Sequence, residues 1–232
     1  MAHVTLLPGL ASDATLWRDQ IPALRAAGHR VHVTDVHFRF ATLPEMAAAL
    51  LAEAEPGPLV LVGTSMGGTL ALEVYRQAPA RVAALALLGS TARPDTPEMV
   101  RLRSEACELF EQGRMDEVLR ANIPFAFHPS ASKLSDLVSA YFGMIREAGA
   151  DQLIRQNRAI MARRDQRPLL PTIACPTLVL CGENDLLTPP ECSREIAAAV
   201  PGARLQTLPA CGHLLTWEQP DTVNAALLDG WF

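Results

Sequence analysis

The chain has 232 residues, of which 49% are hydrophobic, and it carries 20 Lys and Arg against 25 Asp and Glu, a formal net charge of −5. This length allows one domain with a sizeable core, or one domain with an inserted cap. The negative charge and the lack of a long Lys/Arg cluster argue against nucleic acid as a partner.

The cysteines and the apolar runs indicate the cellular compartment of the protein. Five cysteines without CxxC spacing predict free thiols in a reducing compartment, not a disulfide framework or a zinc site. The start of the chain does not resemble a signal peptide, and no apolar run is long enough to span a bilayer. We therefore expect a cytoplasmic protein with no membrane span.

Short apolar runs alternate with helical segments over the first two fifths of the chain. The predicted strands are 3–7, 31–36, 59–62 and 82–88, and the predicted helices between them are 16–27, 43–53 and 65–77. This alternation indicates βαβ units in an α/β fold with a mostly parallel, doubly wound sheet.

Residues 93–167 interrupt the alternation, because their pattern is helical throughout. The predicted helices there are 97–111, 115–121, 134–147 and 152–164, separated at Gly113, Pro124, Pro129 and Gly149. We expect this segment to be a helical cap, or lid, inserted into a core formed by residues 1–92 and 168–232. The alternation resumes with strand 177–181, helix 190–199, strand 204–208 and a closing helix 218–231.

The segment Gly63-Thr64-Ser65-Met66-Gly67 joins a predicted strand to a predicted helix. A G-x-S-x-G segment in that context is typical of a tight turn that exposes the serine hydroxyl as a nucleophile. An ordinary Gly/Ser loop is the plain alternative. A phosphate-binding loop is disfavoured, since no Lys-Ser/Thr pair closes the segment.

A serine nucleophile needs a base, and His213 is the best placed of six histidines. It ends a short loop after the predicted strand 204–208, at the carboxyl edge where parallel sheets bind their ligands. Glu183 and Asp185, which follow the strand 177–181, compete to orient this histidine. We choose Asp185 because it lies farther past the strand end; Asp95 is a weaker alternative.

Acyl transfer also needs hydrogen-bond donors for the oxyanion that develops. The backbone N–H of Met66, directly after the nucleophile, is one candidate. The other is the N–H of Leu10, because Pro8-Gly9 permits a sharp turn after the first strand. Alternatively, Pro8-Gly9 merely turns the chain.

With these residues in place, the chain resembles the lidded α/β-hydrolase superfamily, and within it the small esterase, enol-lactonase and carbon–carbon-bond hydrolase group. The resemblance lies in residues 6–10, 63–67, 175–185, 188–190 and 211–213, and in the chain order Ser65, Asp185, His213. It implies a sheet of about six strands, a cap above the triad, and no cofactor or metal. The group commonly has His-Gly where this chain has Pro8-Gly9.

The resemblance implies a small-molecule ester or lactone as substrate and serine hydrolysis as the activity. Phe125, His128 and Tyr141 of the expected cap are the candidate substrate contacts. Arg39, Arg155 or His128 could bind a substrate carboxylate. Two alternatives stay open: carbon–carbon bond hydrolysis or elimination with the same triad, and a catalytically silent protein of this fold that binds a small ligand.

Overall fold

Six parallel strands form one open sheet in the order β2-β1-β3-β4-β5-β6. The structure is a computed structural model that describes residues 1–232. The strands are β1 His3–Leu7, β2 Arg30–Val33, β3 Leu59–Thr64, β4 Val82–Leu88, β5 Thr177–Gly182 and β6 Arg204–Leu208. The expected α/β fold with a parallel sheet of about six strands is confirmed.

Helices connect the strands and cover the sheet. They are α1 Gln20–Ala26, α2 Val36–Arg39, α3 Leu43–Glu53, α4 Met66–Gln77, α5 Pro97–Glu111, α6 Met115–Ala126, α7 Ser135–Ala148, α8 Ala150–Met161, α9 Pro190–Ala199, α10 Leu215–Glu218 and α11 Pro220–Leu228. Short 3-10 turns occupy Ala14–Trp17, Pro79–Arg81, Ala131–Lys133 and Arg167–Thr172. None of these helices combines the length and the apolar character that a bilayer crossing requires.

Two predicted elements near the start of the chain were wrong in extent. The helix predicted over 16–27 is a 3-10 turn followed by α1, which begins at Gln20. Pro22 lacks an N–H and is tolerated in the first turn of α1, whereas in a continuous helix from residue 16 it would remove an interior hydrogen bond. The strand predicted over 31–36 ends at Val33, and Val36 begins the single turn of α2.

Two later predictions also failed at prolines. Pro124 was expected to separate helices, but α6 runs through it to Ala126. The carbonyl of Arg120, which would have bonded the missing N–H, belongs to a residue exposed to water. The closing helix is broken at Gln219 (φ −139°, ψ 61°), because Pro220 disfavours helical geometry in the residue before it.

The core lies on both faces of the sheet. Alternate residues of β3 point to opposite faces: Val60 and Val62 belong to one cluster of buried hydrophobic side chains, Leu59 and Leu61 to the other. Helices α5 to α8, inserted between β4 and β5, contribute Phe110, Leu119, Tyr141 and others to the first cluster. Ion pairs link these helices to one another, as between Arg146 of α7 and Asp116 of α6 (2.6 Å).

All five cysteines are free thiols, and four of them are buried. Because every strand pair is parallel, the carboxyl ends of β1, β3, β4, β5 and β6 lie along one edge of the sheet. The loops that leave this edge carry the residues singled out from the sequence.

Candidate active site

Ser65 lies in the tight turn between β3 and α4 with φ 52° and ψ −118°. A positive φ is sterically costly for a residue with a side chain. Neighbouring glycines make room for the turn: a Cβ on Gly67 would collide with the Leu7 carbonyl, and one on Gly63 with the Gly67 backbone. The turn sets Ser65 at the N-terminus of α4, where the helix dipole favours negative charge.

The Ser65 backbone is tied to the strand beside it. Its N–H donates to the Leu88 carbonyl at the end of β4 (2.9 Å), and the Ser90 hydroxyl donates to the Ser65 carbonyl (2.8 Å). These bonds hold the strained residue against the loop that follows β4.

His213 and Asp185 are in direct contact, with His213 Nδ1 2.8 Å from Asp185 Oδ2. Asp185 is 1% exposed, and Oδ1 accepts the N–H groups of Leu187 and Thr188 at 2.9 Å each. Oδ2 also accepts the Thr188 hydroxyl at 2.8 Å. The carboxylate is therefore fixed in position and saturated with donors.

Both members of this pair have shifted pKa values. Burial alone would raise the pKa of Asp185, but the charge and hydrogen bond of His213 and the bonds from Thr188 lower it overall. Burial alone would lower the pKa of His213, but the charge and hydrogen bond of Asp185 raise it overall above 6.5. The pair thus favours an ionised carboxylate, and Asp185 stabilises the imidazolium.

The two other carboxylates considered from the sequence lie elsewhere. Glu183 is exposed, although it shares a loop with Asp185. Asp95 is bound by the guanidinium groups of Arg103 (2.8 Å) and Arg163 (2.7 Å). Of the three candidates, only Asp185 contacts His213.

Ser65 and the His213–Asp185 pair both lie against the end of β4. Ser65 bonds to Leu88, and the next residue, Gly89, packs against the pair. A Cβ on Gly89 would lie 3.2 Å from Asp185 Oδ2 and 3.4 Å from His213 Nδ1. No hydrogen bond joins the Ser65 hydroxyl to the imidazole, and such bonds are often long in enzymes without substrate.

The loop after β1 lies beside Ser65, since a Cβ on Gly9 would be 3.5 Å from Ser65 Cβ. The amides of Leu10 and Met66 make no hydrogen bond within the protein. Met66 directly follows the serine and Leu10 directly follows Gly9, so two unpaired N–H groups lie in the segments next to the serine. Donors in this arrangement can bind an oxyanion that develops on a substrate carbonyl.

Gln156 of α8 holds the loop after β1, a role that the sequence did not indicate. This fully buried side chain accepts the Ala11 N–H at Oε1 (2.6 Å) and donates from Nε2 to the His37 carbonyl (3.1 Å). Ala11 itself has a positive φ of 52°. The contact spans 145 positions of the chain, so no local pattern could have revealed it.

Glu218 links the loop that carries His213 to the inserted helices. Its carboxylate accepts the N–H groups of Gly212 (3.1 Å) and His128 (3.0 Å). The N–H of His213 donates to the Ala126 carbonyl at the end of α6 (3.1 Å). The end of α6 is thereby anchored beside the candidate base.

The expected substrate contacts differ in their surroundings. Phe125 is 48% exposed. Tyr141 is buried, accepts a hydrogen bond from Asn122 (2.8 Å) and packs edge-on against Phe127, inside the inserted helices. The His128 ring bonds to the Ser130 hydroxyl (2.7 Å), while its backbone lies against Gly212.

Two arginines considered for carboxylate binding already have partners. Arg39 donates to both oxygens of Glu53 and to Asp35 on the surface. Arg155 donates to the Phe38 carbonyl and to Gln152. Neither has an obvious place for a substrate.

A recess of about 390 Å³ lies away from these residues. It is lined by His3 and Leu59, the first residues of β1 and β3, at the amino ends of the strands. Ligands of parallel sheets bind at the carboxyl ends. No three His, Cys, Asp or Glu side chains come together as a metal-binding group.

Comparisons with known proteins agree with the fold. A curated relative from Mycobacterium tuberculosis, provisionally named the non-heme bromoperoxidase BpoC, is 29% identical over 97% of this chain and 92% of its own length. The malate-bound structure of a thermophilic esterase from Thermogutta terrifontis is 28% identical, with a TM-score of 0.88, over 99% of this chain and 89% of that one.

The enol-lactonase from Burkholderia xenovorans LB400 has the same TM-score of 0.88, over 99% of this chain and 91% of its own, but at 23% identity it shows the fold alone. The family profile described as the alpha/beta hydrolase fold matches residues 2–220. The chain belongs to the α/β hydrolase fold family.

Proposed function

We propose that this protein is a serine hydrolase that cleaves a small carboxylic ester or lactone through an acyl-enzyme intermediate. Ser65 is the nucleophile, His213 the general base and Asp185 the group that orients the base. One observation carries the proposal: the 2.8 Å contact between His213 and Asp185 lies at the sheet edge where Ser65 occupies its strained turn.

In the proposed reaction, Ser65 Oγ attacks the substrate carbonyl carbon while His213 Nε2 takes the hydroxyl proton. The amides of Leu10 and Met66 bind the resulting oxyanion. His213 then protonates the leaving alcohol, which stays attached to the acyl group when the substrate is a lactone. Finally, His213 deprotonates a water molecule, which releases the acid and restores the serine.

Residues 93–167 are, in this proposal, a cap over the site. The contacts of Ala126 with His213 and of His128 with Glu218 support it, because they join the end of α6 to the loop that carries the base. Phe125 and His128 flank this junction and are proposed substrate contacts, together with Tyr141, which packs against Phe127.

Ser65→Ala tests the proposal. We expect hydrolysis of p-nitrophenyl acetate to fall by about 10⁴-fold or more, as for the loss of a triad member elsewhere. Ser135→Ala, an exposed serine in α7, is the control and should keep full activity. Undiminished turnover by Ser65→Ala would refute the assignment.

The relatives carry names as different as esterase and bromoperoxidase, so the type of bond that this protein cleaves needs its own test. A panel of substrates provides that test. Short esters and enol lactones should be hydrolysed faster than a vinylogous diketone. The reverse order would favour carbon–carbon cleavage. A fluorophosphonate probe should label Ser65 in the folded wild type, and failure to label would favour a silent binding protein.

A further inference from the structure

Arg103 of α5 carries a positive charge that the protein does not neutralise. Its Nε donates to Asp95 Oδ2 (2.8 Å), and its Nη1 donates to Asn157 Oδ1 (2.8 Å). The other oxygen of Asp95 binds Arg163 at 2.7 Å. The Asp95 side chain is fully buried and the Arg163 side chain 4% exposed, so this pair is complete without Arg103.

One carboxylate is therefore shared by two guanidinium groups, and the cluster has a surplus of one positive charge. No second carboxylate pairs with either arginine. The Arg103 side chain is 30% exposed, so water solvates part of its charge, and an anion bound there would neutralise the surplus. The buried pair of Asp95 and Arg163 is balanced in charge without Arg103.

Two observations place Arg103 near the proposed catalytic groups. Asn157, which binds Arg103, directly follows Gln156, which holds the loop bearing Leu10. Arg103 also lies close enough to His213 for its charge to oppose the rise in the pKa of that imidazole. Arg103 is thus linked through α8 to the loop after β1 and lies near His213.

Arg103 is held in place but keeps a free donor. Two hydrogen bonds fix its guanidinium plane, its Nη2 makes no hydrogen bond within the protein, and 30% of its side chain is exposed. Arg39 lacks this combination, because Glu53 binds both of its terminal nitrogens. Arg155 is held through Nη2 alone, which donates to the Phe38 carbonyl and to Gln152, so its guanidinium plane is not fixed by two nitrogens. A fixed guanidinium with an open N–H is suited to a carboxylate.

We propose that Arg103 is a carboxylate-binding group of the substrate site, and that the preferred substrates are esters or lactones that carry a carboxylate. This inference rests on the proposed function, because it places the carboxylate on a molecule that Ser65 attacks. The carboxylate would complete the charge balance of the cluster formed by Arg103, Asp95 and Arg163.

The test compares two esters that differ only in charge: mono-p-nitrophenyl glutarate and its methyl-capped diester. The wild type should hydrolyse the charged ester with a kcat/KM about 10- to 100-fold higher, the range of one charge-assisted hydrogen bond. Arg103→Met should lower the kcat/KM for the charged ester far more than that for the capped ester and so abolish this preference. Arg101→Met, which removes an exposed arginine of the same helix paired with Glu105, is the matched control and should keep it.

Thermal unfolding of Arg103→Met shows whether the variant is folded. If it is not, the wild-type preference and its decline with added salt decide the matter without a variant. Equal kcat/KM for the two esters in the wild type, or a preference retained in folded Arg103→Met, would overturn the carboxylate subsite and leave the proposed function standing.

A binding measurement separates this inference from the proposed function. Ser65→Ala, which should not turn over substrate, is titrated calorimetrically with monomethyl glutarate and with dimethyl glutarate. Tighter binding of the charged compound supports the subsite even if the wild type hydrolyses neither ester, a result that would refute the hydrolase proposal alone. Equal binding of the two compounds counts against the subsite.

Discussion

Asp185→Asn is a sharp test of the proposed mechanism, because the two oxygens of Asp185 have different partners. Oδ1 accepts two backbone N–H groups, from Leu187 and Thr188, whereas Oδ2 accepts the Thr188 hydroxyl and faces His213 Nδ1. An asparagine must place its carbonyl where the two N–H donors converge. Its NH₂ group then faces His213 and can bond only to an Nδ1 that carries no proton.

The substitution therefore moves the imidazole proton to Nε2, the nitrogen that should accept the proton of Ser65. We expect kcat to fall by about 10⁴-fold, the effect of the same exchange in the serine protease triad. Both backbone hydrogen bonds are kept, so the free energy of unfolding should change by no more than about 2 kcal/mol.

The pH profile gives a second readout. In the wild type, Asp185 raises the pKa of His213 above 6.5, and only the neutral imidazole is a base. The kcat/KM of the wild type should therefore decline on the acid side with a midpoint above 6.5. Without the carboxylate charge, burial lowers the pKa of His213, so the midpoint of Asp185→Asn should move to lower pH.

The assay is steady-state hydrolysis of p-nitrophenyl acetate between about pH 5 and about pH 9, with unfolding followed in urea. Glu183→Gln, an exposed carboxylate in the same loop, is the control and should match the wild type. The reasoning fails if folded Asp185→Asn keeps more than about a tenth of the wild-type kcat, or if its acid midpoint does not move.

Two further substitutions test the supporting contacts. Gln156→Leu leaves the buried Ala11 N–H without an acceptor, which should lower the free energy of unfolding by about 1–3 kcal/mol. It should also lower kcat about tenfold, because the loop that carries Leu10 loses its support. Urea unfolding and steady-state kinetics measure the two effects, and an unchanged kcat would contradict a role for this loop. Burial raises the pKa of Glu218, so the folded protein binds its proton more tightly than the unfolded chain does, and the free energy of unfolding should fall as pH rises from 4.5 through the raised pKa. Urea unfolding over this pH range should show a smaller decline for Glu218→Gln, and equal declines would refute the argument.

Elements defined by local signals were predicted well. The bounds of β1, β4, β6, α3, α5 and α9 match the expectations residue for residue. In α3 the reason is visible, because Thr42 and Glu45 form a capping box at the helix start. Such signals lie within a few residues of one another and can be read without the rest of the chain. The helix predictions were wrong at Pro22, Pro124 and Pro220. At each of these sites the effect of the proline depended on its position within the helix.

The sequence by itself also determined the order of the elements, the alternation that makes a parallel sheet, and the glycine-flanked turn around Ser65. Only the tertiary structure decided which side chains meet. Glu183 and Asp185 follow the same strand, and their side-chain directions depend on how that loop packs against the loop that carries His213.

The contacts of Gln156, Glu218 and Arg103 were likewise decided by tertiary structure. Ala11 lies 145 positions from Gln156, His128 lies 90 positions from Glu218, and Asn157 lies 54 positions from Arg103. Secondary structure follows from neighbours along the chain, whereas these hydrogen bonds depend on how separate helices and loops pack together at one edge of the sheet, a property that no short stretch of residues contains.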